Sequence, residues 1–278
     1  MSGLAGASNL QQRVLSGIVL IAVALTLTWA GGIWYRLLAA AISGAVLYEW
    51  LSMTAQGEKP SNRWLAIGLL AVLLILLVSG ASISFLSMAL VGAVIVTGAH
   101  AVRFEAGFWP TLGLAYAGLL GVALSALRGD DAAGLYATLF LFAVVWATDI
   151  LAYFVGRAVG GPRLAPSISP GKTWSGAVGG TVSALIAGLA VASYFGSPLG
   201  WAALAVLILV LSMVSQIGDL FESSIKRRFG AKDSSQLIPG HGGVMDRVDG
   251  LAAAAVALFS VGALLAGPDA PAAAFFAR

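Results

Sequence analysis

The chain has 278 residues, of which 59% are hydrophobic and 10% charged, with a mean hydropathy of +0.95. A soluble domain carries roughly 25% charged residues, so this composition excludes a water-soluble globule and leaves an integral membrane protein. A net charge of +3 is too small to single out an anionic partner, no nucleic-acid partner is expected, and the lack of cysteine removes disulfides, thiolate nucleophiles and cysteine-held metals.

Hydrocarbon cannot satisfy an open backbone, and a spanning helix needs about 20 apolar residues, so the long Leu/Ala/Val/Gly runs are read as helices and not as barrel strands. After a short polar N-terminal segment, and with the first apolar run read as a retained helix, spans are expected at 14–30, 34–53, 64–80, 82–99, 108–127, 133–155, 174–194, 200–221 and 248–266. The expected fold is therefore an all-α polytopic integral membrane protein of about nine transmembrane helices, forming a single membrane domain over 1–278. The uncharged connection after Val78 leaves an eight-helix alternative.

Charge placement discriminates between the two counts. With nine helices, one side of the membrane receives Arg13, Lys59, Arg63, Arg103, Arg157, Arg163, Lys172, Lys226, Arg227, Arg228, Lys232 and Arg247, which is 12 of the 15 basic residues. Arg36, Arg128 and Arg278 fall on the other. The positive-inside rule then puts the N-terminus and both long polar loops in the cytoplasm, where nucleotides are.

Ionisable groups in a bilayer are costly and usually face a partner or a cavity. Asp149 lies within the sixth span, Asp219 near the end of the eighth, and Asp246 and Asp249 at the start of the ninth. The last two, three residues apart, share a helical face; they suit either an N-terminal cap with a first-turn companion or ligands of one centre. Several aspartates without sulfur suit a hard cation such as Mg²⁺. His100 reads as a surface residue. His241 sits in Pro239-Gly-His-Gly-Gly243, either a flexible turn or a nest whose amides, with those of Gly242 and Gly243, cradle an anion. Lys226, Arg227, Arg228 and Lys232 are topology anchors taken singly; together with the glycines and aspartates they fit a polyphosphate held by cations and a carboxylate-bound metal.

The order Ser223-x-Ile-Lys226-Arg227, four residues, Lys232-Asp233, Ser235, Ile238-Pro239-x-His241-Gly242-Gly243-Val244-x-Asp246-Arg247-Val248-Asp249 resembles the signature of phosphatidate cytidylyltransferases, also called CDP-diacylglycerol synthases. A second segment, Ala147-Thr-Asp149 to Arg157 and Leu164 to Gly180, resembles the family's other polar region, with Ser175 where many members carry an acid or glutamine. The likeness covers roughly 140–250, so 131–266 is read as the catalytic helices and loops and 1–130 as variable N-terminal helices.

The resemblance implies a Mg²⁺-dependent nucleotidyltransferase that moves CMP from CTP to phosphatidic acid, giving CDP-diacylglycerol and pyrophosphate. It also implies a monovalent cation such as K⁺, a homodimer, and an active site on the cytoplasmic face of a plasma-type membrane. Carried onto this sequence, Asp219, Asp246 and Asp249 become metal ligands and, with Lys226 and Arg227, the catalytic set. Asp149, Tyr153, Arg157, Ser169, Lys172, Thr173, Ser223, Ser224, Lys232, Asp233, His241, Gly242, Gly243 and Arg247 become substrate contacts. Asp149, Tyr153 and Arg157 fall at successive turns of one helix face; an Asp149–Arg157 ion pair is the structural alternative. Two other readings compete. Asp246-Arg-Val-Asp249-Gly250 partly imitates a CDP-alcohol phosphotransferase motif but lacks its downstream acids, and an ion-coupled transporter leaves the ordered cation and glycine pattern without a role.

Overall fold

The structure is a computed structural model that describes residues 9–55, 59–238 and 240–277. The N-terminal residues 1–8, Pro239 of the glycine motif and Arg278 of the charge census lie outside them. Nine α-helices occur among the described residues: α1 (Asn9–Ala30), α2 (Gly32–Met53), α3 (Pro60–Ser79), α4 (Ile83–Phe104), α5 (Trp109–Arg128), α6 (Ala132–Val159), α7 (Trp174–Phe195), α8 (Trp201–Arg228) and α9 (Met245–Ala266). Seven of them, α3 to α9, are long and apolar enough to cross a membrane. The protein is an all-α polytopic membrane protein whose described residues include a small hairpin, β1 (Arg163–Ala165) and β2 (Ser169–Thr173), paired antiparallel.

The uncharged break between α3 and α4 is a true helix end. Gly80 adopts φ +84°, the left-handed conformation that glycine reaches without strain, and its amide reaches back to Leu76 O and Leu77 O. Two helices run beyond their apolar cores. At 28 residues, α6 and α8 are each about 42 Å long against about 30 Å of hydrocarbon, so polar residues at their ends stay helical outside it.

The chain divides into two compact units. The first comprises Met1–Ala81, Phe85–Gly121 and Phe229–Val248; the second comprises Ser82–Ser84, Val122–Arg228 and Asp249–Arg278. In the first unit, α5 offers a small-residue face. Ser43 Oγ donates to Ala117 O at 2.7 Å, and a methyl on Gly121 would lie 3.0 Å from that same serine side chain. Trp50 is buried, donates its indole N–H to Trp109 O at 2.9 Å and stacks on Tyr116. The segment 229–248 folds with these helices, so part of the signature belongs structurally to the N-terminal half.

In the second unit, glycines let α7 lie against α6. A methyl on Gly180 would sit 2.5 Å from Thr148 O, and one on Gly176 2.6 Å from Ala152 O. Small residues permit this approach where lipid supplies no hydrophobic drive between helices. A polar chain, buried at its Thr148–Ser212 end, joins three helices: Thr148 Oγ1 to Ser212 Oγ at 2.9 Å, Ser212 Oγ to Thr181 Oγ1 at 3.1 Å, and Gln216 Nε2 to Thr181 Oγ1 at 3.0 Å. Also in this unit, Asp269 accepts from Ser84 N at 3.1 Å and Ser84 Oγ at 2.5 Å, bonds that hold its carboxyl below the usual range.

Because the obstacle at Gly180 is a backbone oxygen, Gly180→Ala is expected to destabilise by about 1–3 kcal/mol through overpacking. Gly92→Ala, where nothing lies within 4 Å, should leave the unfolding midpoint in detergent unchanged or slightly raised. Equal midpoints for the two variants would refute the tight α6–α7 contact.

Candidate functional site

The second unit contains a cavity of about 700 Å³ whose walls come from α6, the hairpin, and the starts or ends of α7 and α8. Of the residues singled out in the sequence, Asp149, Tyr153, Arg157, Ser169, Lys172, Thr173 and Asp219 all line it. The i, i+4 spacing of a helix explains the first three, and Arg157 Nη1 donates to Tyr153 OH at 3.0 Å. Arg157 thus pairs with the phenol on its own face. Thr173 caps α7, accepting from Gly176 N at 3.1 Å, and this cap turns the strand carrying Lys172 into the helix.

Lys172 Nζ forms an ion pair with Asp219 Oδ2, bringing together residues 47 apart in sequence. Ser223 Oγ donates to Asp219 Oδ1 at 3.4 Å, one turn along α8. Asp149, Asp219 and Asp249 interact electrostatically, with Lys172 as the cation among them. Beyond Asp219, several polar residues in the helical end of α8 have defined partners. Ser224 Oγ turns back to Phe221 O, Lys226 Nζ pairs with buried Glu222 at 2.6 Å, and Arg227 Nε donates to Ile168 O at the hairpin turn, 3.3 Å away.

The first unit holds the remainder of the signature. Gly240 and Gly242 have φ of +75° and +81°, and Ile238 N donates to Gly242 O at 2.8 Å, closing a tight turn around His241. The His241 ring bonds through Nδ1 to Ser16 Oγ at 2.7 Å. Asp246 accepts from Ser234 N at 3.0 Å, Ser234 Oγ at 3.1 Å and Gly243 N at 2.8 Å, all on Oδ2. Its other oxygen also accepts from Ser234 N, at 3.2 Å. Lys232, Asp233 and Arg247 are exposed. The amide of Gly243 is therefore satisfied by the carboxylate of Asp246, in the first turn of α9.

Among the described residues, no three histidine or acidic side chains converge as a metal cage. The donor chemistry still fits Mg²⁺, which commonly takes one or two carboxylates and completes its shell with water and substrate phosphate. Asp219 and Asp249, mutually interacting and oxygen-only, meet that requirement.

Two acids escaped the sequence reading. Glu222 is the buried partner of Lys226, and Glu49 on α2 is fully buried against the signature loop. A lone carboxylate in an apolar span is itself a signal, since such a group needs a partner. Gln216, which lines the cavity, carried no comparable signal.

The sequence profile of the Cytidylyltransferase family matches residues 11–265. A phosphatidate cytidylyltransferase of Brucella suis is 50% identical over 272 residues, covering 97% of this chain and 99% of its own. Proteins of the same name from Haemophilus influenzae and Bacillus subtilis are 37% and 33% identical, over 88% and 87% of this chain and 96% and 93% of theirs.

Proposed function

The chain belongs to the cytidylyltransferase family, and we propose that it transfers CMP from CTP to phosphatidic acid, releasing pyrophosphate and forming CDP-diacylglycerol. The observation that carries this reading is the cavity of the second unit, where Lys172, Arg157 and Arg163 stand beside Asp149 and Asp219. A phosphate monoester headed by two acyl chains matches such a wall: cations for the headgroup, with exposed Tyr153 and Phe154 for the lipid around it.

A phosphate oxygen of the lipid attacks the α-phosphorus of CTP, the α–β phosphoanhydride bond breaks, and the electron pair leaves on pyrophosphate. The attacking monoester is largely ionised at neutral pH, so no strong general base is required. The chain's task is to hold two anions in line and to offset charge on the leaving group. Lys172, held by Asp219, is oriented for one phosphate. Lys226, Arg227, Lys232 and Arg247, the hydroxyls of Ser169, Thr173, Ser223 and Ser224, and His241 with Gly242 are assigned to phosphate contacts, with His241 as donor or orienter.

Bound Mg²⁺ would neutralise triphosphate charge. Asp219 and Asp249 are the residues that would hold it, while Asp246 is engaged by Ser234 and Gly243 in the signature loop. A monovalent cation, a homodimer and a cytoplasmic active site in a plasma-type membrane belong to the same reading.

The test is pyrophosphate release by purified protein in detergent. Release from CTP should require phosphatidic acid and Mg²⁺ together, and Asp249→Asn should raise the Mg²⁺ concentration needed for half-maximal rate. Release without lipid acceptor, or no turnover with any acyl-chain variant, would defeat the proposal; cation flux in proteoliposomes would favour a transporter.

A further inference from the structure

Glu49 lies in α2, a helix to which the family resemblance assigns no role, yet its carboxylate is fully buried and meets four donors from the signature loop. Oε1 accepts from Ser235 Oγ at 2.6 Å and Val244 N at 2.8 Å. Oε2 accepts from Ser234 Oγ at 3.0 Å and Met245 N at 2.7 Å. Each oxygen thus takes one hydroxyl and one amide. The amides belong to the start of α9, where helical N–H groups lack partners within the helix and the macrodipole favours negative charge. A buried carboxylate is tolerable only when so satisfied.

The arrangement requires an acceptor at both positions. Glutamine would turn an NH₂ toward either Val244 N–H or Met245 N–H, opposing donor to donor. Ser234 extends the reach of Glu49, because its hydroxyl lies within bonding distance of both Glu49 Oε2 and Asp246 Oδ2 and has one hydrogen to give. Its backbone amide binds Asp246 as well.

We infer that Glu49 is a positioning residue for the reaction: it clamps Ser234, Ser235 and the first amides of α9, and thereby fixes Asp246 and the turn carrying His241. The inference rests on the reading of that loop as substrate-binding. It makes an N-terminal helix part of the functional apparatus.

Two measurements on the full chain test it. Hydrogen exchange should show segment 234–246 protected in the parent protein and deprotected in Glu49→Gln, with the interior of α9 unchanged; unchanged protection overturns the clamp whatever the activity. In steady-state kinetics, Glu49→Gln should lower kcat by about 10–100-fold, the range for removing an orienting partner, with both KM values within about threefold. Glu49→Asp, which keeps two acceptors on a shorter stem, should restore part of kcat. Ser235→Ala should shift kcat in the same direction by less, and should add little to Glu49→Gln in the double variant. Exchange as inferred but wild-type kcat in Glu49→Gln would overturn the positioning role alone. An inactive parent protein would instead defeat the proposed reaction and leave the clamp to be judged by exchange.

Discussion

Asp219→Asn is expected to reduce phosphatidic-acid-dependent pyrophosphate release by at least about 10³-fold, and Lys172→Met by about 10²–10³-fold, the scale for losing a group that stabilises developing charge. Asp219 is where the cavity's interactions meet: it pairs with Lys172, accepts from Ser223, and interacts with Asp149 and Asp249. Asparagine keeps the shape but loses the charge that orients the lysine and would hold the metal. Side chains in the ion pair are about a quarter exposed, at 28% and 25%, so their pairing contributes little to folding, and unfolding midpoints should move by no more than about 1 kcal/mol equivalent. Because the two residues act as a unit, the double variant should be no slower than Asp219→Asn alone. An Asp219→Asn protein retaining a tenth of the parent rate would remove the cavity from the mechanism.

The helices were legible because hydrocarbon imposes length and apolarity on each, and the alternation of charge across nine spans opposed the eight-helix count. Their ends were less so. Hydropathy placed the end of the eighth span at 221, whereas α8 continues to Arg228, since the Glu222–Lys226 pair keeps its last turns helical where they are no longer apolar. The hairpin at 163–173 was hidden by glycine and proline, which read equally well as loop. In the site, Asp149, Tyr153 and Arg157 could be grouped because helical periodicity is local. The pairing of Lys172 with Asp219, and of Glu49 with a loop 185 residues away, depends on tertiary packing that no spacing encodes. The cost of burying Glu49 was visible in the sequence; its compensation was not.

Gly243→Ala should be strongly damaging to activity. The added carbon would overlap Ser234 Oγ and stand 2.6 Å from Glu49 Oε1, the two groups that tie the loop to α2. Gly243 has no positive φ, so the conflict is with neighbours and not with its own backbone, which makes it open to relief. Moving Ser234 aside breaks its bonds to Asp246 and Glu49; moving Glu49 exposes the amides of Val244 and Met245. Either route leaves buried polar groups unsatisfied at about 1–3 kcal/mol each. The expected result is a loss of at least about 100-fold in kcat with deprotection of 234–246. Ser234→Gly in the same chain removes the severer overlap and should recover part of the rate, although Glu49 still crowds the methyl. Recovery in the double variant would separate steric displacement of the clamp from general misfolding, because misfolding would be deepened by a second substitution; a Gly243→Ala protein with parental kinetics would show that the loop's placement does not govern turnover.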